Sequence, residues 1–148
     1  MSLFRKIESD LQDSLKKGNE LHLSVLRMLK SDIMYEKNKT GKDLSEDKIL
    51  ETVLRAAKRR KESILEFDKA GRTDLSDKEK KELLIIEEYL PKQMTENEIS
   101  VFVDDFISKN GKPQLSESGR FVGMIMKDLK GRADGSLVKE IVSKKITN

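Results

Sequence analysis

Apolar residues in this chain recur at three- and four-residue intervals from Leu3 to Ile146, and no segment alternates apolar and polar residues between turn signals. Such spacing lines one face of an α-helix, whereas a half-buried strand needs a period of two. An all-α fold is therefore expected. Composition points the same way: 39% of residues are charged and 5% aromatic, which suits helices with solvated faces better than a strand-rich core. The 36% hydrophobic content of 148 residues is enough for two small cores.

Local signals divide the pattern into seven helices. Ser2 is placed to cap a helix carrying Leu3, Ile7, Leu11 and Leu15, which closes at Lys16-Lys17-Gly18. Leu21, Val25, Leu26, Leu29, Ile33 and Met34 form the stripe of a second, from Glu20 to about Asn38, broken by Lys39-Thr40-Gly41-Lys42. Leu44 and Ile49 bracket Ser45 as a hydrophobic staple, opening a third helix through Val53, Leu54, Ala57, Ile64 and Leu65 to Phe67, which ends at Ala70-Gly71. Ser76-Asp77-Lys78-Glu79 reads as a capping box for a fourth, which runs through Leu83-Leu84-Ile85-Ile86 and stops before Pro91. Thr95-Glu96-Asn97-Glu98 is another capping box, with Met94 and Ile99 as its staple. After it come the stripes Ile99, Phe102, Val103, Phe106, Ile107 and Phe121, Val122, Ile125, Leu129, and then Leu137, Val138, Ile141, Val142 and Ile146 behind a cap at Asp134 or Ser136. The expected architecture is an N-terminal four-helix bundle over residues 1–90 and a three-helix C-terminal domain over 95–148.

The chemistry-bearing residues are few. The chain has no cysteine and a single histidine, His22, so thiolate catalysis, disulfides and His/Cys metal sites are excluded, and no catalytic residue, metal or cofactor is assigned. Adjacent carboxylates at Glu87-Glu88 and Asp104-Asp105 point about 100° apart on a helix and do not converge on one atom. No apolar run makes a signal peptide or a membrane span, and the absence of cysteine suits a reducing compartment, so a cytoplasmic location is expected.

Net charge is only +3, so the distribution of cations carries the argument. One cluster, Arg55 with Lys58-Arg59-Arg60-Lys61, reads either as a solvated salt-bridging helix face or as a phosphate-contacting edge, with Arg55, Lys58 and Arg59 its candidate residues. A second gathers Arg120, Lys127, Lys130, Arg132 and Lys139 around the turn Lys130-Gly131-Arg132-Ala133-Asp134-Gly135. Its glycines bring backbone N–H groups beside a helix N-terminus, an arrangement that suits a phosphate oxygen. They serve equally as terminators in a plain connection between helices, with the cations complementing the preceding helix dipole.

Several stretches together resemble the GatB/YqeY family: Glu88-Tyr89-Leu90-Pro91-Lys92-Gln93-Met94-Thr95-Glu96, Lys130-Gly131-Arg132-Ala133-Asp134-Gly135, Val25-Leu26-Arg27-Met28-Leu29-Lys30, and Lys58-Arg59-Arg60-Lys61-Glu62-Ser63-Ile64 followed by Phe67-Asp68-Lys69-Ala70-Gly71-Arg72. The likeness runs along essentially the whole chain and is to the stand-alone YqeY-like members. It implies a C-terminal domain similar to the tail of the B subunit of aspartyl/glutamyl-tRNA amidotransferase, which helps hold tRNA. It also carries the family's label of carbon-nitrogen ligase with glutamine as amido donor, although the B subunit's catalytic portion has no counterpart here. Where the family often has Met-Pro-Lys-Leu before the turn, this chain has Met126-Lys127-Asp128-Leu129, which moves a cation about 100° around the helix. The expected function is a non-catalytic tRNA-binding or tRNA-amidation accessory role. In it Arg120, Lys127, Lys130, Gly131, Arg132 and Lys139 meet the RNA, and an amidotransferase or synthetase is a candidate partner. The alternative is a helical protein-interaction module without RNA binding.

Overall fold

The computed structural model describes residues 2–147, and every regular element among them is helical. The chain forms two compact units, Met1–Pro91 and Lys92–Asn148. The first contains α1 (Leu3–Lys17), α2 (Glu20–Thr40), α3 (Glu46–Lys69) and α4 (Thr73–Glu87). The second contains α5 (Glu96–Asn110), α6 (Ser118–Leu129) and α7 (Gly135–Thr147), with a 3-10 turn at Leu115–Glu117 leading into α6.

Local capping chemistry sets most of the helix ends. The Ser2 hydroxyl accepts the Arg5 N–H at 3.2 Å and the Ser45 hydroxyl accepts the Lys48 N–H at 3.3 Å. At α5 the box is reciprocal: the Thr95 hydroxyl accepts the Glu98 N–H at 3.1 Å, and the Glu98 carboxylate accepts the Thr95 N–H at 3.4 Å. Gly18 ends α1 at φ +68°, a left-handed conformation open to a residue without Cβ. α2 runs to Thr40, slightly past the expected Asn38. Before α7 the cap is Asp134, whose carboxylate accepts the Ser136 N–H at 3.0 Å; Ser136 is helical.

The start of α4 differs from the sequence reading. The helix begins at Thr73, and Ser76 lies fully buried inside it, donating its hydroxyl to Asp68 Oδ1 of α3 at 2.5 Å. The connection closes early because the Gly71 and Arg72 N–H groups return to the Asp68 and Phe67 carbonyls at 3.1 and 2.9 Å. Arg72 then holds the Asp74 carboxylate through two bonds of 3.2 Å. With those donors satisfied, the Ser76 hydroxyl serves the contact between helices instead of a helix end.

In the first unit Ile7, Leu11, Val25, Leu26, Leu29, Ile33, Val53, Ile85 and Ile86 form one core. Leu15, Leu21 and Leu65, expected on apolar stripes, are exposed. Beside this core Arg60 sits between two carboxylates of α4, its Nε 2.9 Å from Glu82 and 3.3 Å from Glu79, with all three side chains at least four-fifths covered. In the second unit Ile99, Val103, Phe121, Ile125, Leu129, Val138 and Val142 pack together, with Phe106 edge-on to Phe121 at 5.2 Å between ring centroids.

Tyr89 follows α4 and is buried; its hydroxyl donates to Asp10 Oδ2 of α1 at 2.6 Å, and Lys6 Nζ lies 5.4 Å from its ring centre. Burial first, and then the Asp10 carboxylate, hold the phenolic proton and raise its pKa above the ordinary 10.0. The folded chain thus keeps a proton that the unfolded chain releases, so this contribution is complete below about pH 10 and falls as pH rises beyond it. Urea titrations at about pH 9 and about pH 11 are expected to show a steeper loss of stability in the wild type than in Tyr89→Phe. Equal losses would remove this role from Tyr89.

Candidate nucleic-acid interface

Helix α6 buries Phe121, Ile125 and Leu129 against the second core, which turns Arg120, Met124 and Lys127 to solvent. Arg120 and Lys127 are seven residues apart, so they share a side of the helix about 10 Å apart along its axis. Leu129 then closes the helix by accepting the N–H groups of Arg132 at 2.9 Å and Ala133 at 3.2 Å.

The turn after α6 is held by the segment that precedes α5. The Gln93 side-chain amide donates to the Gly131 carbonyl at 2.7 Å, and the Met94 N–H donates to the Arg132 carbonyl at 2.8 Å. Gly131 is buried at φ +80°, where a side chain is strained. Sequence reasoning did not single out Gln93. Its only signal was membership in the family-like Leu90-Pro91-Lys92-Gln93 stretch, because the contact joins residues 38 positions apart.

This geometry alters what the turn offers. The sequence suggested open N–H groups, but those of Arg132, Ala133 and Ser136 already have acceptors, and the Asp134 carboxylate occupies the N-terminus of α7. Gly131 faces inward. The remaining chemistry is cationic side chains: Lys127, Lys130, Arg132 and Lys139 are exposed along the end of α6, the turn and the start of α7, with Arg120 near the start of α6.

Ion pairing separates four of these cations, Arg120, Lys127, Arg132 and Lys139, from several others in the unit. Lys109 lies 3.1 Å from Asp105, Lys144 3.3 Å from Glu140 and Lys145 2.7 Å from Asp104. Among the described residues, no ion pair within 4.0 Å involves Arg120, Lys127, Arg132 or Lys139. In the first unit the cluster of Arg55 with Lys58-Arg59-Arg60-Lys61 is largely matched: Arg55 is 3.2 Å from Glu36, Arg59 is 2.8 Å from Asp32, and Arg60 turns inward. Lys58 is exposed. His22 Nε2 stands 3.9 Å from Glu88, and no group of three or more His, Asp or Glu able to hold a metal occurs among the described residues. No helix among them is long and apolar enough to cross a membrane.

The family model described as Yqey-like protein matches residues 4–146. The chain belongs to this family. The YqeY-like chain is 30% identical to altered inheritance of mitochondria protein 41, mitochondrial, of Pyrenophora tritici-repentis, over 95% of the chain and 77% of that protein. Its identity to the protein of the same name from Lachancea thermotolerans is also 30%, over 90% and 75% of the two chains. A shorter likeness, 37% over 57 residues, is to one of the subunits of glutamyl-tRNA(Gln) amidotransferase in Methanobrevibacter smithii, and covers 36% of the YqeY-like chain and 9% of that longer protein. The chain is thus related both to proteins that it matches over about three-quarters of their length and, through part of its own length, to a component of an amidotransferase.

Proposed function

We propose that this chain is a non-catalytic accessory protein of tRNA amidation that holds tRNA by its phosphates through the second unit. The observation that carries the reading is the group of exposed cations without carboxylate partners among the described residues, Arg120, Lys127, Arg132 and Lys139, along α6, the turn and the start of α7. Unpaired Lys and Arg side chains neutralise phosphates and release counterions without reading base sequence. The likeness to a component of glutamyl-tRNA(Gln) amidotransferase supports tRNA as the RNA and an amidotransferase as the partner. The cytoplasm is the proposed site of action; the two relatives that match nine-tenths or more of the chain are named mitochondrial.

Four phosphate contacts give a defined salt response. The logarithm of the tRNA association constant is expected to fall with the logarithm of salt concentration at a slope of about −3. Filter-binding titrations across a salt series measure it, and a slope near zero, or no binding at low salt, would remove the reading.

A second reading concerns the first unit. There the ion pairs Arg55–Glu36 and Arg59–Asp32 line a shallow pocket together with Tyr35, which is 68% exposed. Such a charge-balanced surface with an exposed aromatic suits a protein partner better than RNA.

A further inference from the structure

A cleft of about 300 Å³ opens in the second unit between the end of α5 and the start of α6, lined by Asn110, Gly111, Pro113, Glu117, Arg120, Phe121 and Met124 among others. We infer that it receives one unpaired nucleotide of the bound RNA, the base entering the cleft and its phosphate resting on Arg120. This inference rests on the RNA-binding reading above and names the part of the RNA that the site selects.

Three features support a base as the occupant. First, the volume lies at the small end of ligand pockets, which run from about 300 to 1,000 Å³. Second, the walls combine an apolar surface with acceptors. Met124 is 41% exposed and offers a polarisable thioether, and Phe121 lines the cleft with its ring held by Phe106. Asn110 spends an amide N–H on the Phe106 carbonyl at 3.0 Å, which leaves its side-chain oxygen, together with the Glu117 carboxylate, to accept from a base edge. Third, the cleft is continuous with the proposed phosphate path, because Arg120 lines it and shares a side of α6 with Lys127. A base in a duplex cannot reach such a cleft, whereas a splayed base presents both its ring face and its hydrogen-bonding edge.

The test compares a short RNA duplex with the same duplex carrying one bulged guanosine, chosen for its adjacent N–H donors. Binding is followed by fluorescence anisotropy at fixed salt with the full chain. Wild type is expected to bind the bulged RNA at least about five-fold more tightly, and Met124→Ala to lose that preference while keeping its affinity for the plain duplex. Met124 is exposed, so this change leaves the core intact; a matching far-ultraviolet circular dichroism spectrum checks it. Equal wild-type affinity for both RNAs would overturn the cleft assignment and leave the phosphate face standing. A preference that survives Met124→Ala would also overturn it, by placing the selective contact elsewhere. Failure to bind either RNA would remove both the cleft and the RNA-binding reading.

Discussion

Replacing Lys127 and Arg132 by glutamate together is expected to lower tRNA affinity on the order of 100-fold at physiological salt. Each change removes one cation from the phosphate path and puts an anion in its place, so the pair shifts the local charge by four. The informative control is Lys109→Glu with Lys144→Glu. It makes the same change in net charge at cations that already face Asp105 and Glu140, and it is expected to alter affinity by no more than about three-fold. Gel-shift titrations of the two double variants with one tRNA at one salt concentration make the comparison. If both lose affinity equally, the effect is one of overall charge, and the assigned surface is wrong.

Arg60→Met is expected to destabilise the first unit by about 3 kcal/mol or more. The guanidinium is the one cation within ion-pair reach of Glu79 and Glu82 among the described residues, and those carboxylates lie one turn apart on α4 and are largely covered. Removing the cation leaves two like charges facing each other away from water, and the Met28 sulfur, 3.4 Å from the guanidinium, cannot replace it. Arg59→Ala, on the same helix as Arg60, breaks an exposed pair with Asp32 of α2 and should cost under about 1 kcal/mol. Both tyrosines, Tyr35 and Tyr89, belong to the first unit, so tyrosine fluorescence during urea unfolding reports it selectively. Similar costs for the two variants would show that the Arg60 cluster is solvated in solution. Replacing Arg60, Glu79 and Glu82 together by apolar residues should recover most of the loss, since a buried charge group is harmful chiefly when broken.

These predictions depend on residues that the sequence displays unequally. Lys127, Arg132 and the glycines of their turn stand out in a short stretch, and the positions of Arg120 and Lys127 on one side of α6 follow from helical spacing alone. The state of each cation does not follow from spacing. Arg55, Arg59 and Arg60 look alike in sequence; two meet carboxylates of α2 at the surface and the third is enclosed by α4. Neighbouring positions on a helix point about 100° apart, and which of them meets a partner depends on where the other helices pack. The cleft beside Arg120 was equally hidden, because it joins the end of α5 to the start of α6 across an irregular connection.

What the sequence by itself determined was the helical class and most helix ends. Ser2, Ser45 and Thr95 each cap through a bond to the N–H three residues on, and Gly18 supplies the turn that closes α1, so four or five consecutive residues contain the whole interaction. Ser76 shows where that rule ends. Its Ser-x-x-Glu pattern has the form of a cap, yet tertiary packing places the hydroxyl against Asp68 and leaves the helix to begin earlier. Tertiary structure alone decided the bond between Tyr89 and Asp10, the enclosure of Arg60, and the hold of Gln93 and Met94 on the turn after α6. Capping is a contact within one turn of chain, while these contacts arise when helices far apart in sequence pack on a shared core and their polar groups must find partners out of water.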